Sequence, residues 1–159
     1  MWYFITKIVA IRQKEAWTMV IRPYQKADQL ALLEVWYQAA LEAHHFLPAE
    51  HFTSERVMIA TQYLPIAETW IYEHQGQLVG FISLLGQTIG GFFVAPTLQK
   101  QGVGRSLMDH AVRLRGSLNV EVFEQNELGR RFYDRYGFVP TGRSQHAETG
   151  LTLIQMQLT

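Results

Sequence analysis

Hydrophobic and polar residues follow two alternating periods along the chain from Met19 onward. Short stretches with a two-residue period favour β-strands, whereas longer stretches with apolar residues three or four apart favour helices. The predicted strands span residues 20–24, 69–85 (two strands around a Gln75-Gly76 turn), 88–95, 118–123, about 138–143 and 149–158. The predicted helices span residues 28–44, 54–64, 102–115 and 127–136.

The order of these elements, β-α-α-β-β-β-α-β-α-β-β, predicts an α/β (α+β) domain. We expect a mixed, mostly antiparallel sheet of about six to seven strands with helices on both faces. One crossover, from strand 88–95 through helix 102–115 to strand 118–123, is expected to place those two strands parallel. Asp28 and Ser54 are the predicted N-caps of the first two helices.

Composition narrows the possible classes of function. The chain has 159 residues, which is enough for one domain with a substantial core. Its 14 basic and 14 acidic side chains balance, and this argues against broad nucleic-acid binding. The sequence has no cysteine, which excludes disulfides, thiolate metal sites and a cysteine nucleophile.

The first 18 residues, "MWYFITKIVAIRQKEAWT", are predicted to be an extension ahead of a single domain spanning residues 19–159. They start with apolar residues but lack a basic start, and Lys7 and Arg12 interrupt them, so neither a signal peptide nor a membrane span is expected. A non-catalytic extension is favoured, with an added strand or an oligomer contact as alternatives. A cytoplasmic location is expected, with no membrane partner.

Two glycines, Gly102 and Gly104, lie at the start of helix 102–115 with Lys100 and Arg105 beside them. Backbone N–H groups at a helix start are unpaired, and glycines allow a bulky anion to approach them. With nearby cations, this pattern favours phosphate binding. The alternative is a glycine-rich turn with solvated cations.

Two common nucleotide motifs do not fit this segment. A P-loop requires G-x-x-x-x-G-K-[ST], and neither glycine begins one. A dinucleotide fingerprint requires G-x-G-x-x-G/A, but the last position is Leu107. The phosphate ligand is therefore expected to be of another kind.

Two stretches resemble a known family. Residues 99–104, Q-K-Q-G-V-G, resemble motif A (Q-x-x-G-x-G) of the GNAT superfamily of acetyl-CoA-dependent N-acetyltransferases. Residues 126–138, "NELGRRFYDRYGF", resemble the family pattern N-x-x-A-x-x-F-Y-x-x-x-G-F, with Gly129 at the usual alanine position. That glycine is still small enough for a ligand to pass close to the helix. The predicted topology matches the family too, so the likeness covers residues 19–158.

A narrower likeness is to the small bacterial lysine acetyltransferases that include YjaB and YiaC. The stretches that carry it are "HHFL" (44–47), "VGF" (79–81), "FFVAP" (92–96) and "EQN" (124–126).

The resemblance implies a GNAT fold with acetyl-CoA as cosubstrate and no metal. Strand 88–95 would offer backbone groups to the pantetheine arm. Residues 99–106, called here the glycine loop, would hold the pyrophosphate, and Asn126 would lie near the thiol. The cofactor-binding residues implied in this way are Phe93, Val94, Gln99, Lys100, Gln101, Gly102, Val103, Gly104, Arg105, Ser106 and Asn126.

Catalytic candidates follow from the same resemblance. Tyr133 matches the family tyrosine that acts as general acid to the coenzyme A thiolate; the alternative is an ordinary helix aromatic. Glu121 is a tentative base acting through water, or else a solvent-facing strand carboxylate. Related proteins often have a polar or acidic residue on strand 88–95, but residues 87–91 read Q-T-I-G-G, so a dedicated base is left open.

Tentative acceptor-side residues are His44 and Phe46, which follow the first helix, and Trp36 within it. The alternative for His44 is a buried, hydrogen-bonded histidine, and for Trp36 it is core packing. His44 and His45 have no third metal ligand at useful spacing.

The resulting hypothesis is an N-acetyltransferase that moves an acetyl group to a primary amine by direct attack in a ternary complex. The acceptor would be a protein lysine, a protein N-terminus or a small amine, and the chain a monomer or homodimer. A non-catalytic coenzyme A-binding sensor or interaction domain is the alternative. A longer acyl donor is a third hypothesis, which Phe92 and Phe93 make less favourable.

Overall fold

The computed structural model describes residues 19–159, and the extension predicted for residues 1–18 lies outside the described residues. The strands are β1 (Met19–Pro23), β2 (Glu68–His74), β3 (Gln77–Leu85), β4 (Thr88–Val94), β5 (Leu118–Phe123), β6 (Val139–Gln145) and β7 (Thr152–Leu158). The α-helices are α1 (Gln29–Ala43), α2 (Ala49–Met58), α3 (Val103–Arg115) and α4 (Glu127–Tyr136). The predicted order of elements is confirmed.

The seven strands within residues 19–159 form one sheet in the order β1-β2-β3-β4-β5-β7-β6. Neighbouring strands are antiparallel except β4 and β5, which are parallel. The predicted crossover through α3 is therefore confirmed, as is the mostly antiparallel α/β class.

The parallel strands β4 and β5 are paired over a short length and then separate. β4 and β5 are paired at Thr88–Asn119 and at Ile89–Val120, near the start of both strands. Beyond Ile89, β4 continues its pairing with β3, while β5 continues its pairing with β7. The two strands therefore separate, and a V-shaped opening forms in the middle of the sheet.

The core lies on both faces of the sheet. On one face, Leu107 and Met108 of α3 are fully buried with residues of the sheet and Phe138. On the other face, Leu32 and Trp36 of α1 pack with Phe52 and the opposite faces of β2 and β3. Burial on both faces holds the central strands firmly on either side of the opening.

The predicted start of α2 is wrong. The helix begins at Ala49 after Pro48, whose extended backbone (φ −69°, ψ 155°) ends the preceding turn. Ser54 lies inside the helix, where its hydroxyl donates to the carbonyls of Glu50 and His51 at 3.2 and 3.0 Å. A π-helical turn at Ile59–Tyr63 then continues it.

Asp28 is the N-cap residue of α1, as predicted, but its side chain does not perform the capping. Its side chain makes no cap hydrogen bond to α1. Instead its carboxylate accepts two 2.8 Å bonds from the Arg22 guanidinium and one from the Gln25 N–H. The carboxylate joins β1 to the turn before α1, because the pair of Arg22 donors competes successfully with the helix amides.

Candidate active site

A cavity of about 1250 Å³ occupies the opening between β4 and β5 and extends to both sides of the sheet. Gly102, Gly104 and Arg105 of the glycine loop line one end, and Glu55 of α2 lines the other. Tyr133 lines the cavity as well. The sheet opening thus connects the predicted phosphate cradle with the predicted acceptor side.

The two glycines of the loop are required for different structural reasons, backbone conformation at Gly102 and lack of space at Gly104. Gly102 adopts a left-handed conformation (φ 87°), which costs residues with a Cβ free energy. A Cβ on Gly104 would lie 3.2 Å from Phe132 Cε2 and 3.3 Å from Phe92 Cζ. Both requirements arise from the protein itself, and both leave the first amides of α3 uncovered by side chains.

Side chains of the loop fix its position against β4. Gln99 donates from Nε2 to the Val94 carbonyl at 3.2 Å, and Gln101 donates to the Thr97 carbonyl at 3.3 Å. Gln99 was expected to bind the cofactor, and its side chain also joins the loop to the end of β4. Lys100 is exposed, has a left-handed backbone (φ 62°) and lines the cavity.

Arg105 is held at the start of α3 by an aromatic residue of α4. Its guanidinium lies 5.5 Å from the centre of the Tyr136 ring. The Tyr136 hydroxyl donates to Asp109 at 2.6 Å, and burial together with this bond raises the pKa of Tyr136. The cation therefore lies at the start of α3, over the ring of Tyr136.

Tyr133 is buried within α4, with its ring between those of Phe92 and Phe138 at 6.2 and 5.2 Å. Burial raises its pKa well above the ordinary value, because the phenolate would be poorly solvated there. The hydroxyl is therefore protonated at neutral pH and has a proton to donate.

Asn126 has a structural role that the sequence interpretation missed. Its Oδ1 accepts from the Gly129 N–H at 2.9 Å, so its side chain caps α4. The signal was present, since asparagine directly before a helical period is a common N-cap. A Cβ on Gly129 would lie 2.7 Å from Asn126 Nδ2, so this glycine makes room for the cap.

A model of the acetyltransferase (GNAT) domain matches residues 34–159 of this chain. The chain belongs to the GNAT family of acetyltransferases. The GNAT fold accounts for the separated parallel pair and for the glycine loop at the start of α3.

Two curated relatives are peptidyl-lysine N-acetyltransferases of Escherichia coli. The chain is 36% identical to YjaB over 131 residues, which cover 82% of this chain and 88% of YjaB. It is 31% identical to YiaC over 120 residues, which cover 75% of this chain and 82% of YiaC. The predicted likeness to this group is confirmed.

Solved structures agree with the fold. The solution structure of apo YjaB superposes with a TM-score of 0.80 at 31% identity, covering 89% of this chain and 97% of that one. The putative acetyltransferase yncA from Salmonella typhimurium, determined with acetyl-CoA, has a TM-score of 0.60 at 23% identity. It covers 88% of this chain and 92% of that one.

On the predicted acceptor side of the cavity, His44 lies among aromatic rings. Its ring contacts those of Phe46, Phe93 and Phe123 at centroid distances of 5.9, 6.2 and 5.4 Å. Its Nε2 lies 3.4 Å from Asn126 Nδ2. Burial and the neighbouring histidines lower its pKa to about 4, so the ring is neutral at pH 7. His44 thus both lines the cavity and has a buried polar neighbour.

The other predicted residues of this side differ in position. Trp36 is 3% exposed, lines the cavity floor and packs against Phe52. Phe46 packs against the rings of both His44 and Phe123, and its ring centroid lies 5.5 Å from that of Phe123. Glu121 is exposed on β5 beside the cavity, with Oε1 3.5 Å from the Gln155 amide nitrogen.

A group of polar residues at the α2 end was missed. His51 Nε2 lies 3.7 Å from Glu55 Oε2 one turn later on α2, and the His51 and His146 rings are 6.2 Å apart. The i, i+4 spacing of His51 and Glu55 was visible in the sequence. The predicted helix began at residue 54, however, which left His51 outside it.

Within residues 19–159, no group of three or more histidine or acidic side chains is arranged to hold a metal ion. Nor does any helix in that range combine the length and apolar character needed to cross a membrane.

Proposed function

We propose that this chain transfers the acetyl group of acetyl-CoA to a primary amine, with a lysine side chain of a protein as acceptor. The observation that carries the proposal is the continuous cavity from the glycine loop, through the separated strands, to Tyr133. The names of the YjaB and YiaC relatives support a peptidyl-lysine acceptor.

The residues at the loop end suit the donor. The first amides of α3, with Lys100 and Arg105 beside them, would bind the pyrophosphate, because unpaired N–H groups and cations stabilise an anion there. The edge of β4 beyond Ile89 has no β5 partner within the described sheet. Its backbone groups there, including those of Phe93 and Val94, would pair with the amides of the pantetheine arm.

The reaction we propose is direct attack. The neutral amine nitrogen forms a bond with the thioester carbonyl carbon, and the carbon–sulfur bond breaks as the tetrahedral intermediate collapses. The departing thiolate takes the proton of the Tyr133 hydroxyl, and the amine nitrogen loses a proton to water, which passes it to solvent or to Glu121. Solvent then returns a proton to Tyr133. The absence of cysteine from the sequence excludes transfer through an enzyme thioester.

The experiment that tests this function is a thiol-release assay with acetyl-CoA. The acceptor panel contains lysine peptides, peptides with a free N-terminus and small amines, with acetylated products identified by mass spectrometry. We expect release of coenzyme A that depends on a lysine peptide. Acetyl-CoA binding without release above hydrolysis would instead support the coenzyme A-binding sensor.

A further inference from the structure

Charged side chains divide the cavity into two unlike ends. Lys100 and Arg105 line the end at the glycine loop, and Arg135 of α4, next to the Tyr136 that contacts Arg105, lines the cavity too. Among the described residues that line the cavity, the carboxylates are Glu55 and Glu121. Glu121 is exposed on β5, whereas Glu55 lies on α2 at the end away from the cations. The cavity is therefore electrically polarised along its length.

Between these ends, His44 and Tyr133 line the cavity with side chains that are uncharged at neutral pH. The pKa of His44 is lowered to about 4 by burial, which leaves its ring neutral. Burial raises the pKa of Tyr133, which leaves its hydroxyl protonated. A cationic group entering from the α2 end consequently meets its opposite charge at Glu55 before it reaches the aromatic centre.

Glu55 is half-buried, with 29% of its side chain exposed, so it is less screened by solvent than a surface carboxylate. The groups that face it are His51 of α2, Tyr63 of the π-helical turn, and His146 and Glu148 of the turn between β6 and β7. Burial raises the pKa of Glu55, and His51 and His146 oppose that change. No Lys or Arg is among these neighbours.

We propose that Glu55 binds the positive charge of the acceptor and thereby selects an alkylammonium group, such as a lysine side chain, over a neutral one. This inference rests on the proposed function, since it assigns the acceptor side of the same cavity. Glu55 is a specificity-determining residue here, and the ammonium group loses a proton to water further in, before attack.

The test compares binding of a short lysine peptide with binding of the same peptide carrying acetyl-lysine, by calorimetry at pH 8 and without acetyl donor. Wild-type protein is expected to bind the lysine peptide more tightly. In Glu55→Gln that affinity is expected to fall about tenfold, because a partly desolvated charge-assisted contact is lost. Glu50→Gln is the matched control, since Glu50 is exposed on the same helix and lies outside the cavity lining.

Steady-state kinetics give an independent reading. For Glu55→Gln, the acceptor KM should rise about tenfold while kcat and the acetyl-CoA affinity stay within about twofold of wild type. Thermal melts of each variant check that the fold is retained.

Equal affinity of wild type and Glu55→Gln for the lysine peptide would overturn the proposal, as would an equal loss in Glu50→Gln. Failure of the proposed function looks different. In that case the wild-type protein releases no coenzyme A with any amine, whether or not it binds the lysine peptide through Glu55.

Discussion

Tyr133 and His44 show how burial sets the charge of single residues in this cavity. The pKa of the tyrosine is raised and that of the histidine is lowered to about 4, and desolvation is the largest cause of both changes. Each side chain is consequently neutral at pH 7. A neutral centre suits a reaction in which an uncharged amine attacks an uncharged thioester.

The proposed role of Tyr133 predicts the effect of removing its hydroxyl. Tyr133→Phe should lower kcat about 100-fold, because the departing thiolate loses its proton donor. The acetyl-CoA affinity should stay unchanged, since the ring is kept. Tyr37→Phe is the control, because Tyr37 is half-buried on α1 outside this cavity. Steady-state kinetics with calorimetry check this, and an unchanged kcat would remove Tyr133 from the mechanism.

His44 predicts a pH dependence of stability. Its folded pKa of about 4 lies below the ordinary histidine value, so the unfolded chain binds the proton more tightly. Its contribution is therefore fully present above about pH 6.5 and is lost as pH falls towards 4. His44→Gln should reduce the fall in unfolding free energy between pH 7 and 4.5 by about 1–3 kcal/mol. Urea unfolding across this range checks it; parallel curves would contradict it.

At the scale of elements, two helix starts line the cavity. The start of α3 lies at the glycine loop, and the start of α4 lies next to His44. α3 starts at a left-handed glycine and leaves its first amides free of side-chain caps. α4 starts with the Asn126 cap, which also reaches His44. A capped helix start is a poor anion site, because the cap occupies the amides, so of these two starts the one of α3 is better suited to bind phosphate.

The cap of α4 predicts coupling between two positions. Alone, Gly129→Ala should change stability little, since its Cβ displaces the Asn126 side chain while alanine improves helix propensity. In an Asn126→Ala background the same change should stabilise the protein by about 1 kcal/mol, because the crowding is gone. A double-mutant cycle by chemical denaturation measures this, and additive effects would refute the role given to Gly129.

At the scale of the whole molecule, the separation of β4 from β5 makes the cavity possible. Each strand keeps a partner on its outer side, β3 for β4 and β7 for β5, so the sheet stays continuous while its middle opens. The exposed inner edge of β4 then lies between the α3 start and the acceptor side.

This arrangement predicts stabilisation by the donor. Acetyl-CoA at about 100 times its Kd should add about 2.7 kcal/mol to the unfolding free energy, because binding favours the folded state. For a domain of this size the melting temperature should rise by roughly 5–11 °C. Differential scanning fluorimetry measures the shift. It should shrink strongly in the Lys100→Glu and Arg105→Glu double variant, and an unchanged shift would place the donor elsewhere.

Much of the fold was predictable from the sequence because its evidence is local. Hydrophobic periods gave the order of helices and strands, and the β-α-β order gave the parallel pair. The start of α2 was misplaced because Ser54 resembles a cap, whereas Pro48 sets the start. The roles of Tyr133 and Glu121 stay predictions, since they depend on a bound acceptor and donor.

By itself, then, the sequence determined the order of the elements, the parallel β-α-β crossover and the glycine loop, each of which depends on neighbouring segments of the chain. Only the tertiary structure decided which side chains from distant parts of the sequence lie next to each other in the cavity. Asn126 meets His44 from 82 residues away, and Glu55 meets the turn that carries His146. Such long-range contacts follow from how the helices pack on the sheet, and the local hydrophobic periodicity does not predict them. The donor end was therefore visible in the sequence, and the acceptor end required the fold.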